Sequence, residues 1–168
     1  AQAVAGGTIN CSPTCTIATG SAIGPKKYVG DVVIDLGAIV NLTGTVWVVG
    51  DLTISNNSVL RLDDGYGTGS GVIIADDPAL RTTKGRITLS NNGDLRGNST
   101  PDTYIMALSM NWDPTFVNDA IDITNNLTAG IAYAANGAVD ISNNASLKEV
   151  TGQKIKLQNN ATIVYESG

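Results

Sequence analysis

Five stretches of the chain alternate apolar and polar positions and then break at an Asn pair: LTISNNSVL, ITLSNNGDL, IDITNNLTA, VDISNNASL and IKLQNNATI. Leu52, Ile87, Ile121, Val139 and Ile155 fill the first aliphatic slot, and Ile54, Leu89, Ile123, Ile141 and Leu157 fill the second. Thr53, Thr88, Asp122, Asp140 and Lys156 lie between them. A period of two predicts a strand with one buried face. Its return ahead of the same break predicts a repeat architecture.

The first Asn of each pair is Asn56, Asn91, Asn125, Asn143 and Asn159, so the separations are 35, 34, 18 and 16 residues. The long gaps are about twice the short ones, which predicts a degenerate copy inside each: VIIADDPAL around Ile74 and YIMALSM around Met106. Upstream, Val33 to Leu42 aligns with Thr53 to Leu62, with Leu36-Gly37 in place of the Asn pair, and Ile17 to Ile23 is a fainter echo. The sum is about nine coils of roughly 17 residues. A coil that short cannot hold a helix pair, but it suits short strands and their corners. The expected fold is all-β: one parallel β-helix domain over residues 1–168. It is taken as right-handed from the twist and crossover preferences of sheets. Residues 1–16 are read as an N-terminal cap or disulfide loop.

The second Asn of each pair is Asn57, Asn92, Asn126, Asn144 and Asn160. If alternation runs on through the break, the first Asn points inward or stacks on its neighbours, and the second takes a left-handed corner, which Asn tolerates well. The pairs then serve as turn chemistry alone or as a hydrogen-bonded ladder between coils. Ligand binding is the competing role. Sequons such as Asn160-Ala161-Thr162 follow from turn composition.

Charge narrows the partners. A net charge of −5 without any His argues against nucleic acid or an anionic membrane. No apolar run reaches the ~18 residues of a membrane span. No signal peptide is visible at Ala1, so the sequence reads as a processed form or an excised region. Cys11 and Cys15 offer too few ligands for zinc. They read as a small disulfide loop in an oxidising, extracytoplasmic setting, with a free thiol pair as the alternative. No cofactor or metal site is expected. Two acidic pairs, Asp63-Asp64 and Asp76-Asp77, would suit acid–base chemistry or a hard cation, or else are solvated turn residues. Asp122, Asp140 and Lys156 form either an outward charge ladder or an ordinary solvent face.

Three segments lengthen their coils, at residues 63–70, 97–103 and 110–119. Trp112 and Phe116, in the third, are candidate partner contacts or a cover on the coil face. Trp47 is expected outside the barrel. The sequence stops on a repeat strand, TIVYESG, which makes Tyr165 a further candidate contact. Uncovered strand edges invite another chain, and head-to-tail stacking of copies builds an open fibre.

TGTVWVVGDLTISNNSVLRL, GVIIAD, YIMALS, IAYAANGAVDISNN and LKEVTGQKIKLQNNATIVYESG resemble the C-terminal β-helix of bacterial minor-pilin and pilus-assembly proteins of the PilX-like type. The resemblance runs from about Gly6 to the terminus. It implies a non-enzymatic component of a cell-surface or extracellular filament, with other copies or other pilus components as partners. The hydrophobic pilin helix of that family is absent from this sequence. Bactofilins, β-helices that polymerise end to end, are a weaker likeness. The competing function class is a carbohydrate-binding or polysaccharide-cleaving β-helix.

Overall fold

The computed structural model describes residues 2–124 and 126–164. A short helix, α1 (Gln2–Ala5), precedes β1 (Thr8–Ile17), β2 (Ala22–Ile23), β3 (Lys26–Ile34), β4 (Ile39–Leu42) and β5 (Val46–Val49). Next come β6 (Leu52–Ile54), β7 (Val59–Leu62), a 3-10 turn (Asp64–Tyr66), β8 (Gly71–Ala75), β9 (Ile87–Leu89) and β10 (Asp94–Arg96). The chain closes with β11 (Ile105–Ser109), β12 (Ile121–Thr124), β13 (Thr128–Ser142), β14 (Ser146–Leu157) and β15 (Thr162–Ile163). The fold is all-β apart from that helix and turn.

The strands form a large sheet of 11 and a small sheet of four, β10-β7-β4-β2. Every described strand pair is parallel. Between β6 and its partner β9 the chain passes through β7 in the small sheet and β8 in the large one. Parallel strands are usually joined by helical crossovers; here strands do that work.

Register explains the repeat. Ile17 pairs with Ile34, Ile34 with Ile54, Ile54 with Leu89, Leu89 with Ile123, Ile123 with Ile141 and Ile141 with Leu157. The second aliphatic slot is therefore one column of seven residues. The expectation of about nine coils of roughly 17 residues is corrected by this register. No hidden copies fill the long gaps. VIIADDPAL and YIMALSM supply β8 and β11, which pair with each other on another part of the large sheet. The 35- and 34-residue spacings are single units lengthened by loops. Those loops carry the same punctuation as short units, and this made one long unit look like two.

Ile34, Ile54, Leu89, Ile123 and Ile141 are all buried, as are Leu52, Ile87, Ile121 and Val139 in the neighbouring column. Val40, Leu60 and Leu95 stack behind the small sheet. Full burial of such a side chain contributes about 1.5–3 kcal/mol, so these columns are the main cohesive force. Trp47 faces outward between Lys27 and Ile74.

The N-terminal segment joins the large sheet and carries the disulfide loop. β1 pairs with β3, and the register slips between Asn10 and Thr14, where three residues of β1 face Gly30 alone. The Cys11–Cys15 disulfide clamps that bulge. Gly30 has a φ of 116°, and a Cβ there would collide with the Pro13 carbonyl and Cys11, so only glycine fits opposite the clamp.

Candidate self-association site

Asn56-Asn57 and Asn91-Asn92 sit at turns from the large sheet into the small one, and Asn143-Asn144 and Asn159-Asn160 at turns between strands of the large sheet. Asn56 and Asn57 have φ of 52° and 63°, Asn91 and Asn92 49° and 62°, Asn143 and Asn144 57° and 64°, and Asn159 and Asn160 52° and 64°. Asn126 follows at 54°; Asn125 lies outside the described residues. The second Asn takes the expected left-handed corner; in the four pairs described in full the first is left-handed too, and it stacks on its neighbours rather than pointing inward. Two consecutive positive φ values are the signature of a type I′ turn. The closing bonds are present: the Ser58, Gly93 and Ala161 N–H groups donate to the carbonyls of Ser55, Ser90 and Gln158. Asn meets this demand because its short polar side chain lowers the cost of the left-handed region. Leu36-Gly37 occupies the same place, with φ of 59° and 72°.

The side chains link one turn to the next. The Nδ2 of Asn91 donates to Oδ1 of Asn56 at 3.2 Å, Asn92 to Asn57 at 3.0 Å and Asn126 to Asn92 at 3.0 Å. Asn159 donates to Asn143 at 3.0 Å and Asn160 to Asn144 at 3.4 Å. At the N-terminal end Asn56 donates to Asp35 at 2.7 Å. The Leu36 N–H and then Asn56 hold the Asp35 carboxyl below its ordinary range. Each amide left at the end of such a row keeps unused donors and acceptors, and Asn159 and Asn160 stand there.

The last described layer is exposed on its apolar side. Ile155 and Leu157 are 43% and 45% exposed, while Val139 and Ile141, one layer below in the same columns, are at 0%. Ile163 and Val164 are exposed beside them, above buried Leu147. At the opposite end Ile9 is exposed in β1, whereas its register partner Tyr28 is buried. The outermost described strands therefore carry partly exposed apolar side chains, Ile9 on one side and Ile155, Leu157 and Ile163 on the other.

A charged row runs down another corner. Lys84 Nζ lies 2.9 Å from Asp31 and 3.1 Å from Asp51, and Arg86 lies 3.3 Å from Asp51. Burial would lower the Lys84 ammonium, but the two carboxylates outweigh it and raise it. Val29-Gly30-Asp31 recurs as Val49-Gly50-Asp51, so repetition of VGD was the sequence signal for this corner.

The inserted loop at 110–119 carries Trp112 and Phe116, 48% and 40% exposed. The Arg81 guanidinium sits 5.3 Å from the Trp112 ring and Lys156 Nζ 5.5 Å from the Phe116 ring. The loop is anchored by buried Asn111, whose Nδ2 donates to the Lys84 carbonyl at 2.8 Å. Asp119 lies at its end, and burial, reinforced by Asp140 and Asp122, pushes its carboxyl up to about 6. Asp140 is engaged by Lys156 at 2.8 Å and by Gln158. Tyr165 lies outside the described residues.

The acidic pairs are occupied locally. Asp76 takes a two-pronged bond from Arg81, at 2.7 and 3.0 Å. Asp77 accepts from the Ala79 N–H, Asp63 caps the 3-10 turn by accepting from Gly65, and Asp64 accepts from Ser99. Among the described residues no group of three or more acidic or Cys side chains is placed to hold a metal ion. No described helix is long and apolar enough to cross a membrane.

With this geometry in hand, comparison with family models, curated proteins and solved structures finds no match to the chain.

Proposed function

We propose that the chain winds as a single parallel β-helix and serves as a non-enzymatic structural subunit of an extracellular or cell-surface filament. Copies stack end to end through their outermost layers. One observation carries the reading: Ile155 and Leu157 crown columns that are fully buried one layer below. A second copy whose first layer lay over β14 and β15 would bury these side chains and pair the outer edges. Asn159 and Asn160 would hand the side-chain ladder on to the neighbour. Such a contact is heterologous and does not close, so it yields fibres rather than dimers. The disulfide supports an oxidising, extracytoplasmic location.

Sedimentation velocity across a concentration series, with electron microscopy of the same samples, tests the proposal. The unmodified chain is expected to form end-to-end oligomers, and Leu157→Lys, which places a charge on the exposed layer, is expected to weaken association at least about tenfold. Strict monomers at every concentration, or association untouched by Leu157→Lys, would overturn it.

A further inference from the structure

A groove lies on the outer surface between α1 and β8. One cavity of about 510 Å³ is bounded by Tyr66 and Ser70 from the inserted 63–70 loop, by Asp63 and by Thr43 to Thr45. A second, of about 370 Å³, is bounded by Trp47, Ile74 and Asp76. Both include Gln2 and Thr45, so they are two ends of one trough. Its floor is β5 and the residues leading into it; its walls are α1 on one side and β8 with the 3-10 turn on the other. From Thr43 to Trp47 the floor runs for on the order of 13 Å at the usual rise of a strand.

The lining decides what fits. The floor strand is paired on both sides, with β3 and β8, so it has no free edge for an added peptide strand. The trough is lined by Asp63 and Asp76 with no basic residue, which disfavours phosphate and other anions. Those two carboxylates sit in different halves of the trough, and Asp76 is already held by Arg81, so they do not converge on a cation.

What remains is a mixed surface: the aromatic Tyr66 and Trp47 with aliphatic Val72 and Ile74, interspersed with short polar side chains. Thr45 Oγ1 donates to Gln2 Oε1 at 3.0 Å and Ser70 Oγ accepts from the Tyr104 N–H at 3.1 Å. These bonds orient both hydroxyls and still leave the Gln2 amide N–H groups, the Ser70 O–H and the Thr45 oxygen with capacity for a ligand. The Trp47 ring is fixed by its N–H to the Asp76 carbonyl at 2.9 Å and by Lys27 at 4.3 Å from the ring centroid, Lys27 standing outside the trough lining. A rigid aromatic wall with pre-oriented donors and acceptors costs little ordering on binding.

We infer that this trough is a binding site for a neutral, extended polyhydroxylated chain, a segment of uncharged glycan lying along β5. Its lining residues are distinct from Ile155, Leu157, Asn159 and Asn160, on which the stacking proposal rests.

Amide NMR titration of the folded chain with cellohexaose, chitohexaose and maltohexaose as probes tests it, with polygalacturonate as the anionic comparison. At least one neutral probe is expected to shift resonances confined to Thr43–Trp47, Asp63–Asp76 and α1, while polygalacturonate leaves them unmoved. Tyr66→Ala, on the loop, and Thr45→Lys, which fills the trough from an outward position, are each expected to weaken that binding about tenfold or more. The thermal midpoint of each variant, measured alongside, reports folding. The proposal is overturned if no neutral probe binds up to roughly 5 mM, weaker than ordinary single-site recognition. It is also overturned if polygalacturonate binds as well, or if both folded variants keep the full affinity.

Discussion

At the scale of single residues, the Asn pairs carry two separable duties. One is conformational, since both members hold positive φ. The other is cohesive, since their amides bond from turn to turn. Substitution at Asn92 separates them, because its side chain bonds both to Asn57 and to Asn126. Asn92→Gly keeps the left-handed turn and loses the amide bonds, for an expected cost of about 1 kcal/mol. Asn92→Ala loses both and should cost about 2 kcal/mol. Urea unfolding measures the difference; equal costs would mean that the backbone demand contributes nothing. The sequence showed these positions plainly but not their orientation. Alternation through the break left the first Asn either inward or stacked on its neighbours; it stacks, because a type I′ turn spends both residues on the turn itself. Leu36 shows the same demand overriding composition: it is left-handed and 87% exposed where later units place Asn.

At the scale of elements, strands were legible and loops were not. Period-two alternation located β6, β9 and β12 because each has one face in the core, at 0–1% exposure. The long insertions have no period, and their Gly and Asp residues mimic the punctuation of another unit. Two of the local features gather in them: Tyr66 walls the groove, and the 110–119 loop brings Asp119 within the field of Asp122, Asp140 and Lys156. The carboxyl of Asp119 is pushed up to about 6, first by burial, then by Asp140, Asp122 and Asp113, with Lys156 opposing. A raised carboxyl pKa means the folded state holds the proton more tightly than the unfolded chain, whose value is about 4. The contribution of this group to stability therefore grows as pH falls through 6 and levels off below the unfolded value. Asp122, raised mainly by burial, acts in the same direction. The thermal midpoint is expected to rise between about pH 7.5 and pH 5, and Asp119→Asn is expected to flatten that rise. An identical pH profile in the variant would remove Asp119 from the account.

At the scale of the whole molecule, the aliphatic columns run from fully buried to half-exposed along the parallel register, so position in a column sets the cost of a change. Ile121 and Ile155 occupy the same column, one buried and the other 43% exposed. Ile121→Ala is expected to cost about 2–5 kcal/mol, and Ile155→Ala under about 1 kcal/mol in the isolated chain. Calorimetry on dilute material gives both values, and comparable losses would show that the terminal layer is already covered. The general architecture could be read from the spacing of Asn pairs, since like residues pair in parallel. The number of layers could not, because it depends on which strands share a surface, and Ile74 and Met106 alternate just as the marked strands do.

The in-register pairing of Ile141 with Leu157, 16 residues apart, has a genetic corollary. Duplicating that stretch in frame would hand each new side chain a chemically matched neighbour above and below, with no new packing problem to solve. Inserting any other number of residues would require a bulge or a loop to absorb the remainder. Copying DNA can therefore add to this sheet in discrete increments, and the Asn pair with its alternating approach, kept in the last units while the other positions differ, is what such copying followed by drift would leave.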